Sequence, residues 1–199
     1  MSTVAIIGGI GSGKTAVTDY LSTRGAVVVD ADDIARDVVQ PGQPAWFQLQ
    51  DAFGTAVLTP EGSLDRPFVA EIVFSDRSAL QRLNRITHAA IGTAMVAQIA
   101  AHADAALVAV ALPLYRPVHR SMFNLDEVWC VWVEPELAVS RLTTHRAFSL
   151  KDAEARIANQ PSNQERFELA DRQFENSGSR EQLHLVIDAA LADAGWLNA

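Results

Sequence analysis

The stretch GGIGSGKT, Gly8 to Thr15, has the residue types and the spacing to hold a chain of phosphates. It reads G-x-x-x-x-G-K-T, a loop whose glycines let successive backbone N–H groups turn inward around an anion. A helix starting at its end would add partial positive charge from its N-terminus. Gly9, Ile10, Gly11, Ser12 and Gly13 would wrap the nucleotide phosphates, with Ala16 in the first helical turn behind them. Lys14 would reach the β- and γ-phosphates, and the Thr15 hydroxyl would hold Mg²⁺. A glycine-rich turn with no ligand could use the same glycines. The full pattern is rare by chance, however, and it falls between a strand-like and a helix-like stretch, which favours phosphate.

Phosphoryl transfer also needs an acid, charge for the moving phosphoryl group and exclusion of water. Asp30 and Asp32 bracket Ala31 at the end of an apolar stretch, and a spacing of two along a strand would put both carboxylates on one face. One could take the proton of an acceptor hydroxyl, and either could hold a metal-bound water. Alternatively, one of them caps the helix that begins near Ile34. Arg36 follows by one helical turn. Arg141, Arg146 and Arg156 cluster in SRLTTHRAFSLKDAEARIANQ, with Arg166 further on, as in a mobile lid of a nucleotide kinase. Arg146 first, then Arg141, are the choices for charge on the phosphoryl group. A solvated helix face would explain the same arginines, and Asp152 with Arg156 fits an i,i+4 pair. His88 sits in THAA at an expected helix break, where a lone histidine is more often structural.

These residues need elements to position them, and the chain alternates strand-like and helix-like stretches. VAII before the loop reads as a buried parallel strand, and AVTDYL after it as a helix. Ala26 to Asp33 reads as a second strand ending in acids, and IARDVVQPG as a short helix stopped by Pro41 and Gly42. Residues 44–104 are mainly helical in pattern, with a cap expected at Ser75 or Asp76. AALVAVALP and EVWCVWVE read as further buried strands, and SREQLHLVIDAALADAG as a last helix. The expected fold is α/β, a parallel sheet covered on both faces. Ligands in such sheets sit beyond the C-terminal ends of the strands, so the loop and DADD should share one crevice.

Taken together, these motifs resemble the dephospho-CoA kinase family along nearly the whole chain. GGIGSGKT matches that family's loop, and VVVDADDIARDVVQPG its second motif, including the acid pair and Arg36. GSLDRPFVAEIVFSD and LQRLNRITHAAI look like its substrate-side helices, with Leu64, Asp65, Arg66 and His88 in place. HRAFSLKDAEARIANQ, RFELAD and ENSGSREQL look like its lid and C-terminal segments. The resemblance implies a P-loop core, a helical acceptor region near 44–104 and a small lid near 141–166, within one kinase domain over 1–199. It implies transfer of the ATP γ-phosphate, with Mg²⁺, to the ribose 3′-hydroxyl of dephospho-CoA. Asp32 matches the general base, Lys14, Arg141 and Arg146 the cations of transfer, and Asn176 a position close to adenine. Asp30, Arg36, Asp65, Arg66 and His88 fall to the acceptor.

Departures from the family pattern centre on VALPLYRP: Ala111 and Pro117 stand where acids are expected, with Arg116 beside the latter. Ala89 replaces a proline after His88, and Ile7 a common threonine. The missing acid at 111 is where a carboxylate would orient Mg²⁺, so it bears on rate and metal handling. Two alternatives follow: a related P-loop kinase for another small acceptor, or a degenerate paralogue that binds nucleotide or CoA species without turnover. The absence of an N-K-x-D motif argues against a GTPase.

The 199 residues are 49% hydrophobic, enough for one globular domain with a sizeable core. A net charge of −8 argues against non-specific nucleic-acid or membrane-surface binding. The single cysteine, Cys130, reads as a small buried hydrophobe. The longest uncharged apolar run, Ala105 to Tyr115, is too short to cross a bilayer. No basic segment with a cleavage site opens the chain, so the expected location is the cytoplasm.

Overall fold

In the computed structural model, which describes residues 1–196, the elements follow one another as strands joined by helical crossovers. The order is β1 (Ser2–Ile7), α1 (Lys14–Thr23), β2 (Val27–Asp30), α2 (Ala31–Asp37), α3 (Pro44–Phe53), α4 (Arg66–Ser75) and α5 (Arg77–Ala101). Then come β3 (Leu107–Ala111), α6 (Val118–Met122), β4 (Glu127–Trp132), α7 (Pro135–His145), α8 (Leu150–Ala158), α9 (Asn163–Phe167), β5 (Arg172–Glu175) and α10 (Arg180–Asp193). The five strands form one sheet in the order β2-β3-β1-β4-β5, and every neighbouring pair is parallel. Parallel strands need long crossovers, which these helices supply.

The chain groups into two compact units, Met1–Asp30 with Ala101 onward, and Ala31–Ala100. In the first, apolar residues point alternately to the two faces of the sheet. Val4, Ile6, Leu107, Ala109, Trp129 and Val131 pack with Val17 and Leu21 of α1 and Leu183, Ile187 and Leu191 of α10. The alternate residues Ala5, Ile7, Val108, Val110, Val128 and Cys130 are buried too. Sequential apolar residues buried on both faces are what a parallel sheet requires. The second unit is helical around Val39, Ala45 and Leu49, packed by Phe53, Leu64, Leu83 and Ile86.

Three expectations change. The second strand stops at Asp30, and Asp32 and Asp33 lie in the first turn of α2, where acids complement the helix N-terminus. Asp30 and Asp32 are therefore not alternate residues of one strand. His88 lies inside the continuous helix α5 and not at a break. The alanine-rich stretch sustains the helix, and the Thr87 hydroxyl donates back to Leu83 O at 2.9 Å. The cap of α5 is Asp76, whose Oδ1 accepts from Ser78 N at 2.7 Å. Finally, β5 is a strand that no periodicity announced. It is a short edge strand with one buried residue, Phe174, among charged and polar ones.

Candidate active site

The loop leaves the C-terminal end of β1 and enters α1 at Lys14. Gly13 precedes the helix with φ +97°, a left-handed conformation suited to glycine. It also allows a close approach, because a Cβ there would stand 2.1 Å from Asn176 Nδ2. At Gly8 a Cβ would fall 2.3 Å from Val131 O and 2.6 Å from Ser12 Oγ. The loop thus threads between β4 and the turn after β5 with room for backbone only.

Side chains from distant parts of the chain hold it. Asn176 Nδ2 donates to Ser12 O at 2.8 Å, and Asn176 N to Trp132 O at 2.9 Å. Arg141 Nη2 donates to Asn176 O at 2.6 Å, and Nη1 to Gly11 O at 3.3 Å. Arg141 and Asn176 therefore brace the loop through its carbonyl oxygens, which leaves the loop N–H groups to other partners. Gln160 Oε1 accepts from Ile10 N at 2.8 Å.

The chemistry of this cradle suits an anion. No side chain caps α1, and no acid lies in its first turn, so its N-terminal partial charge is not neutralised there. Lys14 Nζ lies along the loop, donating to Gly8 O at 2.7 Å. The Ser12 hydroxyl is buried without a hydrogen-bond partner. A cavity of about 460 Å³ opens beside the loop, lined in part by Gly9, Ile10, Ser12, Pro135, Ile157 and Arg166. Thr15 is exposed at the start of α1. Among the described residues no group of three His, Cys, Asp or Glu could hold a metal ion. Such a site fits a cation that arrives with the nucleotide and keeps most of its waters, as Mg²⁺ does, and would not cage one alone.

The parallel register puts Asp30 opposite Ala111, and Ala111 opposite Ile6. Asp30 therefore stands on the strand beside the position that lacks an acid, at the sheet end from which the loop springs. Neighbouring strands are about 4.8 Å apart, within reach of a shared ion or water. Ala111 itself is 6% exposed, at the end of the fully buried β3.

The remaining expected residues lie on other elements. Asp32 is exposed in α2, and Arg36 pairs with Asp33 one turn earlier. Asp65 caps α4, its Oδ1 accepting from Phe68 N at 3.0 Å, with Arg66 exposed next to it. His88 is exposed on α5. Arg146 is exposed at the end of α7. Arg156 lies over the Phe148 ring at 4.7 Å, and Asp152 accepts from the Ser149 hydroxyl at 2.6 Å, so the expected Asp152–Arg156 pair gives way to a cap and a stacked cation. Arg166, by contrast, lies on the loop at Gly9. Its one sequence signal was local: Ser162 and Glu165 form a capping box that starts α9 and so fixes Arg166. Burial pushes the Cys130 thiol up to about 11, which agrees with a structural cysteine.

A family model described as dephospho-CoA kinase matches residues 2–182. A dephospho-CoA kinase of Thermobifida fusca is 40% identical over 194 residues, covering 97% of this chain and 94% of its own. Among solved structures, a Thermus thermophilus protein superposes with a TM-score of 0.79 at 27% identity, covering 96% of this chain and 97% of its own. A dephospho-CoA kinase from Campylobacter jejuni does so at 0.66 and 23%, covering 96% of each chain, a likeness of fold.

Proposed function

The chain belongs to the dephospho-CoA kinase family, and we propose how its residues divide the work of that reaction. It is an ATP-dependent kinase that phosphorylates dephospho-CoA. The acceptor is the ribose 3′-hydroxyl, and the products are coenzyme A and ADP. The observation that carries the assignment is the braced, uncapped loop from Gly8 to Thr15, joined to a family match across residues 2–182.

Backbone N–H groups from Gly11 to Ala16 and the uncapped helix end hold the phosphates, and Lys14 turns from Gly8 O to the β,γ end. Asp32 takes the proton of the acceptor hydroxyl as its oxygen forms a bond to the γ-phosphorus. The bond from that phosphorus to the β,γ-bridging oxygen breaks, and ADP keeps the electron pair. Thr15 would hold Mg²⁺, with Asp30 placed to orient its waters in lieu of an acid at 111; when bound, the ion neutralises phosphate charge. Asn176 sets the loop and borders the adenine, while Arg36, Asp65, Arg66 and His88 serve the acceptor. The helical region near 44–104 is the acceptor's, and the stretch near 141–166, which includes α8, is the lid.

Ala111 favours a second reading, a nucleotide- or CoA-binding paralogue without turnover. A coupled assay with ATP, dephospho-CoA and a Mg²⁺ titration separates the two. The expected result is turnover at raised Mg²⁺, with Ala111→Asp lowering the half-maximal Mg²⁺ by about 10-fold or raising kcat, since orienting groups of this kind are worth about 10- to 100-fold. Binding of either substrate by calorimetry with no transfer at any Mg²⁺ concentration would favour the paralogue.

A further inference from the structure

Arg166 carries a charge that the assignments above leave unused. Its guanidinium lies against Gly9: a Cβ on that glycine would be 3.2 Å from Nη2, 3.3 Å from Cζ and 3.3 Å from Nη1. Nη2 donates to Gln160 Oε1 at 3.2 Å and Nη1 to Asn163 Oδ1 at 3.3 Å. The same Gln160 oxygen accepts from Ile10 N, so one amide ties the guanidinium to the loop backbone. Asn163 is anchored in turn, donating to Val133 O at 2.9 Å.

Both partners are neutral. Among the described residues no carboxylate forms an ion pair with Arg166. Glu165, its chain neighbour, accepts from Ser162 N at 2.7 Å and from the Ser162 hydroxyl at 2.8 Å. Burial lowers the Arg166 pKa from its ordinary value, a sign of desolvation. Glu165 acts on it only through space, so Arg166 is a half-buried cation hydrogen-bonded to neutral groups alone, an arrangement that suits an arriving anion. Lys14 indicates which end of the anion. Its Nζ reaches Gly8 O and, at 3.5 Å, Gly9 O, so the lysine that meets β- and γ-phosphates also reaches Gly9, the glycine against which Arg166 lies. The N-terminus of α1 lies at the other end of the loop.

We propose that Arg166 is a catalytic residue, held by Gln160 and Asn163 to meet the β,γ end of the ATP triphosphate, and that Gln160 is the residue positioning it. This rests on the kinase reading above. Arg166 then stabilises the charge that builds on the transferring phosphoryl and on the oxygen it leaves. Arg146, exposed at the end of α7, does not share this placement.

The test is Arg166→Met, which keeps the apolar stem, beside Arg166→Lys. Transfer to dephospho-CoA should fall about 10²–10³-fold in kcat for the Met variant, the size of losing one preorganised charge donor. ADP affinity should stay within about threefold, since ADP lacks the γ-phosphate, and Arg166→Lys should recover about tenfold. Calorimetry with ATP against ADP needs no acceptor, so it tests the proposal even if the assignment of dephospho-CoA fails: the parent's preference for ATP should disappear in the Met variant. Should that variant not fold, Gln160→Glu is its substitute, expected to weaken ATP at least tenfold by placing a carboxylate on the guanidinium. A kcat within threefold of the parent, an unchanged ATP preference, or equal loss of ATP and ADP affinity would overturn the proposal and leave Arg166 a brace of the loop.

Discussion

Lys14 and Asp32 divide binding from chemistry, and single substitutions should separate them. Lys14 Nζ lies within 2.7 Å of a loop carbonyl and would move to the phosphates when ATP binds. Lys14→Ala should therefore weaken ATP and lower transfer by about 10²–10³-fold or more, with unchanged circular dichroism. A variant that binds and turns over ATP like the parent would remove the phosphate-loop reading. Asp32 is exposed in the first turn of a helix, the place of an ordinary capping acid as well as of a base. Asp32→Asn tells them apart: as the base it should lose about 10²–10⁴ in kcat with ATP affinity intact. Activity within a few-fold would leave it a helix-end acid.

At the scale of elements, β5 and α10 depend on polar contacts at their ends. Arg172 of β5 is paired with Glu127 of β4 at 2.7 Å and with Asp193 of α10 at 2.7 Å. The Arg172 hydrogen bond holds the Glu127 carboxyl below its ordinary 4.5, against desolvation, and the Trp129 indole adds to it. A carboxyl depressed in the folded state adds stability above pH 4.5 that is lost as pH falls through the lowered folded value. Glu127→Gln should thus flatten the acid limb of a stability–pH curve below that point. An unchanged limb would show that the pairing contributes nothing. The capping box of Ser179 and Gln182 starts α10. Ser179→Ala should cost about 1 kcal/mol, read as a lower denaturant midpoint at constant slope.

For the molecule as a whole, the lone cysteine is a probe of opening. Cys130 is fully buried in β4, and its pKa of about 11 keeps it a thiol at neutral pH. Labelling should therefore follow the unfolding of the sheet. Mg-ATP at 100 times its Kd should slow labelling about 100-fold, equivalent to about 2.7 kcal/mol, if ligand release and exposure are one event. Labelling indifferent to ATP would mean that β4 opens locally while the nucleotide stays bound. Among the described residues no helix is long and apolar enough to cross a membrane.

The phosphate loop, the alternation of strands and helices and the family were legible in the sequence because each is encoded locally. A phosphate cradle is built from contiguous backbone, and buried parallel strands announce themselves as unbroken apolar runs. The end of β2 at Asp30, the strand β5 and the continuity of α5 through His88 were not legible, since turns, short edge strands and helix persistence rest on small local differences that neighbours tip. Only the tertiary structure could decide that Asp30 stands opposite Ala111, because strand register is a property of pairing. It also decided which arginine lies against Gly9. Gln160 meets Ile10 across 150 positions of chain, and the side chain that it holds against Gly9 is Arg166. Residue spacing holds no information over that distance; the fold brings such groups together by packing helices on a sheet whose edge they share.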